Sequence, residues 1–428
     1  MAWDFSTEPD FQDTLDWVRR FVREEIIPLE TLDLDVETFE RVTAPMKDQV
    51  KERGLWAAHL PPELGGGGFG QVKLALIHEI LGECRYAPGI FGNQAPDSGN
   101  AELLAIGGTP EQKETWMHPL LRGELRSAFS MTEPGAGADP TMLSTRAVED
   151  GDSYVINGHK WFTSNASVAD FLIVMAVTDP TVSAYRGTSM FVVPADTPGV
   201  QVLRDIPVMD HPFIGGELDP GHAEVLYRDV RVPKANLVGL PGQGFALAQH
   251  RLGPGRLHHA MRWLGQSRRA FDMLCERAVS RHSHGSRLAD KQMVQDWVAR
   301  SAAEMQAARL LTLHAAWTID RVGASAARNE IAMIKYWGAA VLHDVIDRAV
   351  QVHGSLGFSA DLPLEQMYRA ARAARIYDGP DEVHKESVAR RLLRGYEPVE
   401  VPTEHVPTRR EAARRKFAAH LELATANL

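Results

Sequence analysis

The sequence contains little cysteine and no long apolar segment. Only two cysteines, Cys84 and Cys275, occur in 428 residues, and they form no CxxC pair. This excludes a disulfide framework and a thiolate metal site. No stretch approaches the roughly 18 uninterrupted apolar residues of a membrane span, and the first residues lack the basic and apolar regions of a signal peptide. We therefore expect a protein of the reducing cytoplasm, with no metal and no membrane association.

Excess positive charge is also absent. The net charge is -10, with 24% charged and 44% hydrophobic residues. This balance argues against a nucleic-acid surface and is typical of a soluble globular protein. At about 100 to 200 residues per domain, the length predicts two to four domains or one large enzyme with a deep core. A small-molecule site is expected.

The spacing of the apolar residues changes twice along the chain. It is helical at first, as in Leu15, Val18 and Val22, then β-like, and then helical again in four long segments. An α+β multidomain fold is therefore predicted. Its domains are an N-terminal helical domain over residues 1–125, a middle β-barrel or sandwich domain over 126–240, a C-terminal four-helix bundle over 241–396 and a tail over 397–428.

The middle region carries the β signals. Asn157-Gly158 separates two β-prone runs, which is the strongest short indication of a hairpin turn. Further β-prone runs follow at residues 171–177, 188–195, 200–208 and 222–233. Runs of this length at this spacing are typical of an all-β domain.

The segment Ile376 to Lys385, "IYDGPDEVHK", combines three carboxylates with a Gly-Pro pair. On the residues alone, Asp378 is either an active-site carboxylate or the polar end of a turn. Gly379 and Pro380 interrupt the chain, and the acids that follow suit the positive first turn of a helix.

Five segments together resemble the acyl-CoA dehydrogenase family, in the family's order and over nearly the whole chain. They are "FSMTEPGAGADP" (129–140), "HKWFTS" (159–164), "RHSHGSRLADKQ" (281–292), "QVHGSLGFSADLPLEQMYRAAR" (351–372) and "IYDGPDEVHKESVAR" (376–390). The resemblance implies FAD between the β domain and the bundle, and a homo-oligomer, dimer or tetramer, formed through the bundle. It also implies α,β-dehydrogenation of an acyl-CoA, with hydride passing to flavin N5 and electrons passing on to an electron-transfer flavoprotein.

The resemblance also implies the cofactor contacts. The loop at Thr132 would lie along the flavin, Trp161 and Phe162 would pack on it, and Thr163 would face N5. Arg281 would reach the FAD of a neighbouring subunit, because a guanidinium suits a pyrophosphate. The expected FAD-binding residues are Phe129, Met131, Thr132, Gly137, Trp161, Phe162, Thr163, Arg281, Ser283, Gln292, Gln351, Gly354, Ser355, Pro380 and Glu382.

The same comparison makes Asp378 the catalytic base, in the place of the family's usual glutamate. A second known location for the base corresponds to Gly255, which carries no acid. Aspartate is one methylene, roughly 1.5 Å, shorter, and misplacement on that scale can slow a reaction about a hundredfold. The expected substrate-binding residues are Ala138, where the family often has serine, together with Arg256, Gly379 and Arg390.

The motif "DGPDEVH" resembles one branch of the family, which in some eukaryotes is fused to a phosphotransferase-like kinase. That branch implies an alternative, the FAD-assisted processing of a 4-hydroxy or 4-phosphoryl acyl-CoA by elimination. A non-catalytic homologue that binds acyl-CoA or flavin is a further alternative, which would be favoured if Asp378 pointed away from the flavin.

Overall fold

The structure is a computed structural model that describes residues 5–210 and 221–425. Its contacts divide the chain into two compact units, residues 1–385 and 386–428. In the first unit, helices come first, a β-sheet follows, and long helices complete the unit. The predicted order of helical, β and helical regions is therefore confirmed. The domain boundaries stay a prediction, and residues 211–220 of the predicted middle domain lie outside the described ranges.

The helices carry the labels used below. They are α1 (Pro9–Phe21), α2 (Val36–Glu52), α3 (Gln71–Leu81), α4 (Ala87–Ile90), α5 (Asp97–Gly107), α6 (Pro110–Gln112), α7 (His118–Arg122), α8 (Ala184–Gly187), α9 (Gly244–Ser280), α10 (Gln292–Val322), α11 (Arg328–His353), α12 (Leu364–Ala373), α13 (Asp381–Leu393), α14 (Val406–Lys416) and α15 (Ala418–Thr425). Among the described residues, none of them is long and apolar enough to cross a membrane.

The strands pair mainly into one sheet. They are β1 (Ser127–Ser130), β2 (Arg146–Asp150), β3 (Ser153–Ser164), β4 (Phe171–Val177), β5 (Thr188–Pro194), β6 (Val200–Ile206), β7 (His222–Pro233), β8 (Leu237–Val238), β9 (His282–Ser283) and β10 (Ser286–Arg287). The sheet has the order β6-β7-β3-β2-β4-β5-β8 within the described ranges, and β1 pairs with β4 in parallel. The four predicted runs correspond to β4, β5, β6 and β7.

Strand β4 shows why this part of the sequence reads as an uninterrupted apolar run. Phe171 and Ile173 pack in a cluster that includes residues of helices α5 and α9, whereas Leu172 and Val174 pack in a second cluster with residues of β5 and β7. Both faces of the strand are thus buried, so alternation with polar residues is lost.

The prediction of a hairpin at Asn157-Gly158 was wrong. Strand β3 continues through both residues, with an irregularity in its pairing to β7 between Ile156 and Gly158, and the turn lies at Gly151, between β2 and β3. Asn157 instead exchanges two hydrogen bonds with Asp229 on β7, of 3.0 and 2.8 Å. Gly158 is needed there because a Cβ would lie 2.1 Å from Thr145 Oγ1.

The bundle has an up-down-up arrangement. The β9–β10 hairpin joins α9 to α10, and a short connection joins α10 to α11. The three helices pack on one another, so the end of α11 lies at the same end of the bundle as the end of α9. Helix α9 begins at Gly244, and it continues through Pro254. Helix α12 packs on α11.

Helices α3 and α9 cross at a contact between two glycines. A Cβ on Gly82 would lie 2.1 Å from the Arg262 carbonyl oxygen, and one on Gly265 would lie 2.0 Å from the Glu79 carbonyl oxygen. Both obstacles are backbone atoms, which cannot rotate away. This close approach places the polar side chains of α9 against the N-terminal helices.

Changing Gly265 to alanine is therefore expected to lower the free energy of unfolding by about 1–3 kcal/mol, because the new methyl group forces the helices apart. Gly255→Ala on the same helix is the control, since its Cβ would meet nothing within 4 Å. Alanine should stabilise that position by about 0.5–1 kcal/mol. Thermal unfolding midpoints that rise in both variants would contradict the close crossing.

The second unit contains the end of α13 with α14 and α15. The residues of α14 are all exposed, as expected for a basic solvated helix. Arg409 pairs with Glu404 and Arg415 pairs with Glu411, so part of the positive charge is neutralised within the unit.

Candidate active site

Asp378 lies in the connection between α12 and α13, where the backbone is left-handed at two successive residues. The φ angle is +54° at Asp378 and +96° at Gly379. A left-handed residue other than glycine costs on the order of 1–3 kcal/mol and persists where its surroundings enforce it. The Asp378 side chain is 22% exposed, so it remains partly accessible.

Donors from several helices surround this connection. His259 Nε2 of α9 lies 3.5 Å from Asp378 Oδ2. Arg256 Nε, also on α9, donates to the Asp378 carbonyl oxygen at 3.0 Å. Lys335 of α11 is fully buried and donates to the carbonyl oxygens of Ala374 at 2.6 Å and Gly379 at 3.3 Å. The connection is therefore fixed mainly through its backbone.

These neighbours decide the ionisation of Asp378. Burial acts to raise its pKa, but His259, Arg256, Arg251 and Lys335 together outweigh burial and lower the pKa below its ordinary value. Asp378 is therefore a carboxylate at neutral pH, which is the form that can accept a proton.

The next acid, Asp381, has a structural role. It is almost completely buried, and its Oδ2 accepts from Arg375 Nε at 2.8 Å at the first turn of α13. The turn interpretation thus applies to Asp381, whereas Asp378 faces the cationic groups of α9 and α11.

A second feature is the polar lining beside Asp378 between α3 and α9. Arg262 is buried, and its hydrogen bonds go to neutral groups, Gln94 Oε1 at 3.2 Å and the His258 carbonyl oxygen at 3.4 Å. His258 stacks on His78 with ring centroids 4.4 Å apart. His78 is 1% exposed, and neither of its ring nitrogens has a hydrogen-bond partner.

Arg251 connects this lining to the β domain. Its guanidinium lies 4.0 Å from the ring centroid of Phe129, one of the predicted FAD contacts, and its Nε donates to Asn100 Oδ1 at 3.3 Å. Glu102 is nearby on α5, and burial raises its pKa to about 7, although Arg251 opposes this shift. Glu102 is therefore a second carboxyl group near Arg251, and its charge changes with pH around neutrality.

A buried ion pair supports the loop of Met131 and Thr132. Lys160 Nζ lies 2.9 Å from Glu133 Oε1 and donates to the Met131 carbonyl oxygen at 2.8 Å. Glu133 also accepts from the Ser144 amide and hydroxyl, both at 2.7 Å. Lys160 and Glu133 are 0% and 3% exposed. The loop that would lie along the flavin is thus anchored from inside the β domain.

Strand β3 has an irregularity beside this loop, between Lys160 and Thr163. Trp161 and Phe162 lie between these two inward-pointing residues, Phe162 has a φ of +52° and its side chain is 42% exposed. Thr163 is fully buried, with its Oγ1 3.2 Å from Ser130 Oγ. Its predicted contact with N5 stays a prediction. The next residue, Ser164, is only partly buried and pairs with His222 at 2.8 Å.

The residues of this region fit a flat aromatic cofactor. Gly135 and Gly137 have open space where a Cβ would be. The indole Nε1 of Trp161 is buried without a hydrogen-bond partner, and the Phe162 ring is accessible. An isoalloxazine ring suits such a region, because small residues allow close approach and an aromatic face allows stacking. The unpartnered indole N–H is a hydrogen-bond donor that a cofactor atom could accept from.

Other predicted cofactor residues lie at the end of the bundle opposite to Asp378. Arg281 follows the end of α9, Ser283 and Gln292 precede or begin α10, and Gly354 follows the end of α11. Along α9, Arg256 and Arg281 are separated by roughly 35–40 Å at 1.5 Å per residue. These groups are mainly exposed: Arg281, Gln292, Gln351, Gly354 and Ser355. The structure does not bring them together with Asp378.

The remaining predicted substrate residues have different settings. Ala138 is exposed in the loop after β1, and Gly379 adjoins Asp378. Arg390 belongs to the second unit, where it pairs with Glu386. Pro380 and Glu382 lie at the start of α13. Within residues 5–210 and 221–425, no group of three or more His, Cys, Asp or Glu side chains could hold a metal ion.

Three successive family models match the chain. They are the acyl-CoA dehydrogenase N-terminal domain over residues 8–124, the middle domain over 128–214 and the C-terminal domain over 242–393. The fold, with its helical, β and helical regions in this order, agrees with these three matches. The chain belongs to the acyl-CoA dehydrogenase family, as its motifs predicted, and FAD is the cofactor of that family.

Named relatives agree. The chain is 46% identical to "Probable acyl-CoA dehydrogenase FadE2" of Mycobacterium tuberculosis, over 81% of this chain and 84% of the relative. It is 40% identical to "Acyl-CoA dehydrogenase family member 11" of Rattus norvegicus, over 89% of this chain but only 50% of the relative, so it spans about half the length of that protein. A solved glutaryl-coenzyme A dehydrogenase–glutaryl-CoA complex superposes with a TM-score of 0.80 at 28% identity, covering 92% of this chain and 98% of that one.

Several residues near Asp378 were absent from the predicted site. Arg251, His259 and Arg262 recur along α9 at intervals of eight and three, so they share one side of the helix. Charged groups at helical spacing in a segment that packs in the core are a detectable signal. Lys335 and His384 carry no such pattern, because only the tertiary fold brings them to the Asp378 connection.

Proposed function

We propose that the protein is an FAD-dependent acyl-CoA dehydrogenase in which Asp378 removes the α proton of an acyl-CoA thioester. The observation that carries this proposal is the accessible Asp378 carboxylate, which is kept ionised by the cationic groups around it. When bound, FAD supplies the acceptor for the β hydrogen. Thr132, Gly137, Trp161 and Phe162 would hold its ring.

The backbone of the Asp378 connection would also bind the thioester carbonyl oxygen. The amide of Asp378 is the group that, by resemblance, polarises the thioester carbonyl. Arg256 and Lys335 donate to the carbonyl oxygens of Asp378 and Gly379, so the two peptide groups that follow this amide are fixed before the substrate arrives. An amide donor at the edge of this fixed backbone would stabilise the negative charge that develops when an α proton leaves.

An anaerobic titration of the FAD-loaded protein with saturated acyl-CoAs of several lengths tests the proposal. Loss of the visible flavin absorbance on addition of an acyl-CoA is expected, and the most effective length identifies the substrate. Absorbance that persists with every plain acyl-CoA, in a protein that binds FAD, would contradict simple dehydrogenation and favour the second candidate.

The second candidate is the processing of a 4-hydroxy or 4-phosphoryl acyl-CoA. The polar lining beside Asp378 favours it, since Arg262 is buried with only neutral partners and His78 has unpartnered ring nitrogens. A buried cation of this kind suits an oxygen or an anion on the acyl group better than an apolar chain. In this reaction, Asp378 would take the proton from C2, and the C3 hydrogen would pass reversibly to bound FAD as hydride. Return of that hydride to C2 as the substituent leaves C4 would balance the elimination and leave the flavin oxidised.

Release of inorganic phosphate from a 4-phosphoacyl-CoA separates the two candidates. Phosphate formed without net loss of flavin absorbance would support elimination. Loss of absorbance without phosphate release would support dehydrogenation.

We further propose that the protein is a homo-oligomer that passes electrons to an electron-transfer flavoprotein. The distance along α9 supports the first part, because Arg256 and Arg281 lie too far apart to serve the same end of one bundle. Arg281 would then contact the FAD of a neighbouring subunit. Sedimentation of the FAD-loaded protein tests the assembly, and a monomer with full FAD content would contradict it.

A further inference from the structure

The carbonyl oxygen of Asp378 accepts two side-chain hydrogen bonds. Arg256 Nε donates from α9 at 3.0 Å, and His384 Nε2 lies 3.1 Å away on α13. A carbonyl oxygen can only accept, so His384 must carry its hydrogen on Nε2. Both lone pairs of the oxygen are then in use, and the plane of the peptide between residues 378 and 379 is fixed.

The fit of His384 is close. Its side chain is 94% buried, since 6% is exposed. A Cβ on Gly379 would lie 2.8 Å from His384 Nε2, so the ring occupies space that only glycine at position 379 leaves open. Burial, with a further contribution from Arg256, lowers the pKa of His384 to about 4, so the ring is a neutral donor at the pH of an assay.

The backbone position matters more for aspartate than for glutamate. The Asp378 carboxylate is attached through a single methylene, so its position follows the backbone with little freedom to adjust. Asp378 and Gly379 are both left-handed, with a φ of +54° at Asp378. Without its donors, the connection would be free to relax towards a right-handed conformation, which would redirect the carboxylate.

We propose that His384 is a positioning residue for the dehydrogenation, holding the Asp378 carbonyl so that the short carboxylate reaches the α proton. The inference rests on the proposed function of Asp378 as the base. Arg256 and Lys335 hold the same connection from two other helices, and His384 supplies the bond from the helix that follows it.

The test compares His384→Leu with His384→Gln. Leucine removes the ring N–H donor and fills the space with an apolar side chain of similar size, whereas glutamine retains an N–H donor. In His384→Leu, we expect kcat per bound flavin to fall about 10- to 100-fold. The kinetic isotope effect with α-deuterated acyl-CoA should rise, because proton removal becomes more strongly rate-limiting. His384→Gln should recover most of kcat with an isotope effect near the original.

The isotope effect separates positioning from a general loss of structure, since a partly unfolded preparation has less active flavin but an unchanged isotope effect. If His384→Leu does not fold, His384→Met serves the same purpose. His118→Leu is the matched control, as His118 is on α7 and pairs with Glu114. An unchanged kcat and isotope effect in His384→Leu would overturn the proposal.

A parallel Asp378→Asn variant shows which assumption fails. If Asp378→Asn is inactive while His384→Leu behaves like the original protein, the base assignment stands and the positioning role is wrong. If Asp378→Asn retains full turnover, the base assignment fails and the positioning role is overturned with it.

Discussion

Asp378→Asn is expected to slow flavin reduction by acyl-CoA about a thousandfold, because an amide cannot accept the α proton. General bases typically contribute 10²- to 10⁴-fold to a rate, and this site offers the carboxylate no obvious substitute. His259 is the nearest basic group, at 3.5 Å, but burial lowers its pKa to about 3. Single-turnover absorbance measurements on protein with normal FAD content measure the effect.

Two variants complete this experiment. Asp296→Asn makes the same chemical change on an exposed part of α10 and should leave the rate unchanged. Asp378→Glu should retain activity but lose about a hundredfold, since its extra methylene displaces the carboxylate. Because the pKa of Asp378 is lowered, the base stays ionised in mildly acidic solution. A rate that falls with an apparent pKa near 7 would point to another base.

Lys160→Met is expected to lower the free energy of unfolding by about 3–5 kcal/mol, because it leaves Glu133 buried without its cation. Burial acts to raise the pKa of Glu133, but Lys160, with hydrogen bonds from Thr145 and Ser144, lowers it to about 2. The carboxylate is therefore charged at neutral pH in the original protein. Without Lys160 it must either remain an unpaired buried charge or take up a proton, and both lower stability. Thermal or denaturant unfolding measures the change.

The exposed pair of Lys234 and Glu149 provides the comparison. Both side chains are substantially exposed, so Lys234→Met should change stability far less than Lys160→Met. Adding Glu133→Gln to Lys160→Met should restore part of the loss, since the amide oxygen still accepts from Ser144. Equal effects of Lys160→Met and Lys234→Met would show that burial does not govern these pairs.

The sequence predicted the architecture well where the apolar pattern extends over many residues. Strand β4 was predicted to the residue, because its apolar pattern is continuous. The prediction of a hairpin at Asn157-Gly158 was wrong, because these residue types have other roles there. Asn157 bonds to Asp229, and Gly158 leaves room for the Thr145 side chain. Gly151-Asp152, a few residues earlier, has an equally good turn signal and forms the actual turn between β2 and β3.

The site was only partly predictable. Asp378 follows from its motif, but its cationic surroundings depend on α9, α11 and α13 meeting in space. Lys335 is an example, because a lysine in the middle of an apolar helix stripe gives no sign that it will donate to the Ala374 and Gly379 carbonyl oxygens. The contacts of Arg281 and Ser355 with FAD stay predictions.

The buried histidines between α3, α9 and α13 also make the folded protein sensitive to acid. Burial lowers the pKa of His259 to about 3 and of His384 to about 4, and it moves His59, His78 and His258 in the same direction. In the unfolded chain, these rings take up protons near pH 6.5. The unfolded state then binds more protons, so stability falls as the pH drops below about 6.5. These buried histidines thus limit how acidic an environment the folded protein tolerates.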